Sequence, residues 1–168
     1  MSFARGVGHN GMPNITPSLW FDGVAVEAAE FYVSIFPNSS VETVERFTDA
    51  GPGKPGDVAY VTFRLDGTRF IGIDGGPQFP FTEAVSFEVL CADQEEVDYY
   101  WSALVEGGRE SQCGWLSDRY GLAWQIVPTR LYDLIEDDDP ARAAAASAAM
   151  LGMRKIVVAD LEAAVANL

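Results

Sequence analysis

The chain has 168 residues, enough for one domain or two small fused modules that bury roughly two-thirds of the surface an unfolded chain exposes. Twenty-five acidic residues against eleven basic ones give a formal charge of −14, which repels phosphate backbones and anionic lipid headgroups and argues against nucleic acid and membrane as partners. Cys91 and Cys113 lack metal-ligand spacing, and with no secretory signal they read as reduced thiols of a cytoplasmic protein.

Residues 1–14 hold Gly6, Gly8, Gly11 and Pro13 but no apolar run, which reads as a flexible arm and as neither a signal peptide nor a membrane span. The arm carries His9, the one histidine of the chain. A first strand is expected over 15–21, with Pro17 suiting an edge or a strand start, and Asp22-Gly23 ends it. Over 24–36, Ala28, Phe31, Tyr32, Ile35 and Phe36 recur at helical spacing until Pro37-Asn38 stops the run. Three strands are expected next, over 41–47, 57–65 and 69–74. A flexible loop at 48–55 separates the first two, and an Asp66-Gly67 hairpin turn joins the last two. The run Gly51-Pro-Gly-Lys-Pro-Gly56 opens no helix and lacks Walker spacing, so a phosphate-cradling loop is not expected there.

The pattern then starts again. A strand over 84–91 leads into a helix from Asp93 to about Glu106, closed by Gly107-Gly108. Val97, Tyr100, Trp101, Leu104 and Val105 repeat Ala28, Phe31, Tyr32, Ile35 and Phe36 at a constant offset of 69 positions. A short strand-like piece at 111–113 and a hairpin over 113–128 complete a second β-α-β-β-β unit, and repetition of a whole supersecondary unit is a stronger fold signal than any one segment. In the hairpin, Ser117, Asp118 and Gly121 supply the turn. Leu122, Trp124 and Ile126 then share the bulky face of the last strand, while Gln125 stands among small residues on the other. Beyond it lies a helical tail over 131–168. Asp139 serves as N-cap, Pro140 takes the first helical position and an alanine-rich run extends through Met153, with a shorter helix near Leu161 to Val165. Composition leaves open whether these helices pack on their own chain or on a partner.

Four stretches carry a resemblance: Leu19-Trp-Phe-Asp-Gly23 with Glu27-Ala28 and Glu30-Phe-Tyr32; Phe70 to Gly76; Ser86-Phe87 with Asp93 to Trp101; and Cys113-Gly-Trp115 through Trp124 to Pro128. With these the chain resembles the PhnB-like family, also labelled 3-demethylubiquinone-9 3-methyltransferase, of the vicinal-oxygen-chelate superfamily of glyoxalases and bleomycin-resistance proteins. The resemblance implies an α+β fold: paired βαβββ modules over 15–130 (about 15–76 and 84–128) whose mixed sheet curls around a pocket, usually in a homodimer, plus C-terminal helices. In metal-dependent members, side chains from the first, fourth, fifth and eighth strands hold a divalent ion. The matching positions here fall near Pro17, at Gly72 or Asp74, at Ala84 or Ser86, and at Gln125, too poor a donor set for a metal. Methyl transfer from an adenosylmethionine-type donor usually needs a βαβ unit with a glycine-rich turn, which this chain lacks.

The resulting expectation is a small-molecule-binding protein without metal or cofactor, with Trp20, Asp74, Ser86, Trp115 and Gln125 lining its pocket and a hydrophobic or cationic ligand. The alternative is an enzyme of the same superfamily with an atypical metal site. Cys113 as a nucleophile and Asp74 as a general base are the catalytic candidates, each requiring a neighbour to tune its pKa. Asp118, at a turn, is expected to make structural hydrogen bonds instead.

Overall fold

The computed structural model describes residues 15–166 and 168, so the expected arm, with His9, lies outside the described residues. The chain forms two compact units, Met1–Phe79 and Pro80–Leu168.

The first unit holds β1 (Ser18–Phe21), α1 (Ala25–Ile35), β2 (Ser40–Arg46), β3 (Val58–Leu65) and β4 (Thr68–Asp74). Its sheet has the order β1-β4-β3-β2, with β1 parallel to β4 and the other pairs antiparallel. The parallel pair follows from the α1 crossover, since parallel strands need a long connection. Ala25, Ala28, Ala29, Tyr32 and Ile35 form the buried stripe of α1. Tyr32 stacks on Phe63, and Phe63 on Phe70, with centroids 6.3 and 5.5 Å apart. A Cβ at Gly72 would lie 2.9 Å from Val61 Cγ1 and 3.4 Å from Ala25 Cβ, so glycine lets α1 approach β4. At the β3–β4 hairpin Asp66 and Gly67 both take positive φ, 43° and 76°, as a two-residue turn of matching twist requires.

The second unit repeats this plan with β5 (Ser86–Cys91), α2 (Gln94–Val105), β6 (Arg109–Glu110), β7 (Trp115–Ser117) and β8 (Ala123–Pro128), in the order β5-β8-β7-β6 with β5 parallel to β8. Asp93 caps α2 by accepting from Glu96 N. The five residue pairs 69 positions apart match in burial as well as in chemistry. Ala28, Tyr32 and Ile35 are buried, as are Val97, Trp101 and Leu104; Phe31 and Phe36, like Tyr100 and Val105, are half-buried.

The structure refines the expected elements. Hydrogen bonding gives two four-stranded sheets, with no pairing that joins them among the described residues. The sparsely charged strands β3 and β4 are interior, and the edge strand β2 carries Glu42, Glu45, Arg46 and two register shifts, which is how natural edges are blunted. The strand-like piece at 111–113 is instead the two-residue β6 at Arg109–Glu110. Cys113 and Gly114 adopt φ of 56° and 84°; their amides donate to Met153 O and Arg154 O at 2.8 and 2.7 Å while Gly114 O accepts from Ile126 N of β8 at 2.8 Å, so this turn ties the tail to the sheet. Finally, the loop at 48–55 is pinned at its base, where Phe47 N donates to Asp57 O and Gly56 N to Phe47 O, both at 2.9 Å.

The tail belongs to the second unit. It contains α3 (Thr129–Ile135), α4 (Pro140–Leu151) and α5 (Val158–Val165). Asp139 caps α4 by accepting from Ala141 N. The alanine-rich face is covered within the chain: Ala146 is fully buried with Val127, Leu131, Leu134, Ile156, Leu161 and Val165. Among the described residues, no helix is long and apolar enough to cross a membrane.

Candidate functional site

Strand β8 sorts its side chains onto two faces. Trp124, at 3 % exposure, meets Phe87 of β5 at 5.7 Å between centroids. This face corresponds to the Leu19, Phe21 and Gly72 face of the first unit, where the helix packs. Gln125 points the opposite way, and its Nε2 donates to Ser86 Oγ at 2.9 Å. Trp115 is the Cα partner of Gln125 across β7–β8 and lies half-buried on the same face. The sheet thus brings together three of the five expected pocket residues, Ser86, Trp115 and Gln125.

Trp20 and Asp74 belong to the other unit. Trp20 lies on the face away from α1, donates from Nε1 to Gly76 O at 2.8 Å and meets Phe79 edge-on at 5.0 Å. Asp74 has the parity of Gly72 and faces the helix, where its Oδ1 accepts from Ala25 N at 3.0 Å. It caps α1 from a neighbouring strand, because Val24, at the N-cap position, makes no side-chain cap. A carboxylate in that position serves the helix; the β4 residues on the open face are Ile71 and Ile73.

The sequence reading missed Glu88 and Tyr132. Glu88 is in register with Gln125, and its Oε2 accepts from Tyr132 Oη at 2.7 Å. That hydrogen bond, together with partial burial, holds the Tyr132 phenol above its usual pKa. Parity from Ser86 would have placed Glu88 on this face; no local signal places Tyr132 there.

Asp118 makes the structural hydrogen bonds expected of a turn residue. Asp118, 3 % exposed, accepts at Oδ1 from Tyr120 N (2.9 Å) and Leu122 N (3.0 Å), and at Oδ2 from Trp124 Nε1 (2.9 Å). It is the organiser of the hairpin. Burial, followed by the nearby Glu96 and Asp93 carboxylates, pushes the Cys91 thiol up to about 12, which suits an inert core thiol. Cys113 is half-buried at the positive-φ turn described above.

Two repeats of β-α-β-β-β with parallel first and fourth strands define the glyoxalase/bleomycin-resistance class of α+β fold. The profile of the 3-demethylubiquinone-9 3-methyltransferase family matches residues 13–127, and the chain belongs to that family. The chain is similar to a putative 3-demethylubiquinone-9 3-methyltransferase, PhnB protein, from Bacillus cereus. The two share 36 % identity at a TM-score of 0.63, over 70 % of this chain and 100 % of that one. Protein PA1353 from Pseudomonas aeruginosa has the same fold, with 22 % identity and a TM-score of 0.58 over 70 % of this chain and 98 % of that one. No curated protein matches the chain.

The divalent ion that the fold implies does not suit this donor set. Ser86 and Gln125 are neutral and bonded to each other, Glu88 is engaged by Tyr132, and Asp74 faces α1. Among the described residues, no three His, Cys, Asp or Glu side chains form a group that could hold a metal.

Proposed function

We propose that the protein binds a small organic molecule on the open face of its second sheet, through Ser86, Trp115 and Gln125, without a divalent metal. The observation that carries this reading is the Ser86–Gln125 hydrogen bond with Trp115 in register beside it. An amide and a hydroxyl offer both donor and acceptor capacity, and an indole offers a flat apolar surface, the usual mixture in a ligand site. Glu88 on the same face favours a cationic or donor-rich ligand. Trp20 would play the corresponding part in the first unit. A thermal-shift screen of small planar and cationic compounds tests the reading, since a ligand at a hundredfold its dissociation constant adds about 2.7 kcal/mol of stability. A hit is expected to be lost or strongly weakened in Gln125→Ala, while the unliganded melting temperature changes little. A hit indifferent to Gln125 and Trp115 would sink the assignment.

The same proposal includes a cytoplasmic homodimer. Its support is the outer edge of the second sheet, where Leu90 of β5 is 55 % exposed and the adjoining Val85 65 % exposed. Unpaired apolar edges are commonly buried by two-fold self-association. Light scattering in 0.15 M salt should give twice the chain mass; a monomer at all concentrations would refute this part.

A further inference from the structure

The first unit contains an open cleft of about 410 Å³ at the ends of its strands, lined by Gly23, Arg46, Phe47, Lys54, Asp57 and Asp74 among others. Its charges set it apart from the rest of the surface. Arg64, Arg69, Arg109, Arg119, Arg130, Arg142, Arg154 and Lys155 all form ion pairs with carboxylates. Arg46 and Lys54, the remaining described bases, form none. In a chain with more than twice as many acids as bases, the two bases without an ion pair among the described residues line one cleft.

Their placement is built by the fold. Arg46 ends β2 and is oriented by a 2.9 Å hydrogen bond from Nη1 to Gly56 O, which leaves its other N–H groups available. Lys54 sits in the connection whose ends are clamped at Phe47, Gly56 and Asp57. The connection wraps tightly around Phe47: a Cβ at Gly53 would lie 2.3 Å from its ring, so only glycine lets the chain pass there. Asp74, one of the two carboxylates in the wall, accepts from Ala25 N at Oδ1. Asp57 is the other carboxylate in the wall.

We propose that this cleft binds a small oxyanion, a carboxylate or a phosphate group, between the Arg46 guanidinium and the Lys54 ammonium. A planar fork and a point charge converging on one anion is a common recognition arrangement. The glycine spacing still excludes a P-loop; the site rests on two side chains that the end of β2 and the β2–β3 connection bring to one cleft, which spacing in the sequence does not reveal. Asp57 and Asp74 limit the charge the site accepts and favour a monoanion, or an anion that also carries an amine. The site uses residues of the first unit alone and none of Ser86, Trp115 and Gln125, so its failure would leave that reading untouched.

The test is a titration of ¹⁵N-labelled full-length protein with inorganic phosphate and, separately, with acetate, at ionic strength held constant with potassium chloride. The expected result is saturable amide shifts at Gly53, Lys54, Gly23 and Gly76 with at least one of the two anions. Lys54→Gln, in a loop where the side chain has no ion pair, should weaken binding about fivefold, the scale of an exposed charge pair. Arg46→Lys should weaken it less than Arg46→Gln, and Asp57→Asn should tighten it by removing a like charge. Shifts that do not saturate, that spread over the whole surface, or that persist unchanged in Lys54→Gln and Arg46→Gln would overturn the proposal.

Discussion

Replacing Trp124 with alanine is expected to cost about 3 to 5 kcal/mol of stability, read by urea denaturation. The side chain is 3 % exposed, its ring meets Phe87, and its indole N–H is satisfied inside the protein by Asp118 Oδ2 at 2.9 Å. Truncation therefore opens a cavity on the face shared with Ile126, which is fully buried, and also removes a hydrogen-bond donor from a buried carboxylate. A loss under about 1 kcal/mol would show that the packed face of β8 has been assigned the wrong way round.

Asp118→Ala is expected to cost nearly as much, about 3 to 4 kcal/mol, for a different reason. One carboxylate accepts from two backbone amides of its own turn and from the Trp124 indole. Deleting it removes little volume but leaves buried N–H groups unpaired, and each costs about 1 to 3 kcal/mol. Asp118→Asn keeps one acceptor oxygen but directs an NH2 group at a donor, so it recovers only part of the loss. A double-mutant cycle with Trp124→Phe should show a coupling energy of about 0.5 to 3 kcal/mol. Strict additivity would mean that the Asp118–Trp124 bond contributes nothing beyond the two separate losses.

The same residues show how much the sequence revealed. The repeat was legible because burial writes the same apolar spacing twice, and residues 69 apart share both chemistry and exposure. Asp118 was legible as a turn residue because an aspartate at a hairpin bonds its own backbone; its bond to Trp124, six residues on, follows from the period of the strand. The bond of Asp74 to α1 was not legible for two physical reasons. In Phe70-Ile71-Gly72-Ile73-Asp74 both faces of the strand are apolar or small, so alternation gives no parity signal. Its partner, Ala25 N, lies 49 residues away, beyond any local capping pattern. Strand order, unlike strand position, is not written in periodicity: the crossover inserts β4 beside β1 and leaves the charged β2 at the rim. Alanine composition showed that α4 packs closely on something, but only the folded tail identifies the partner as α3, α5 and Ile156 of the same chain.

The central claim is that the face carrying Ser86, Trp115 and Gln125 holds an organic ligand rather than a divalent ion, and metal stoichiometry tests it most directly. Purified full-length protein is equilibrated in turn with Mn, Fe(II), Ni and Zn, desalted, and analysed for bound metal per chain, alongside Gln125→Ala. The account predicts far less than one ion per chain for every metal, and no difference between the two proteins, since an amide bonded to a serine hydroxyl is a weak partner for such ions. One tightly held ion per chain that is lost in Gln125→Ala would contradict it and establish a metal-dependent site on this face.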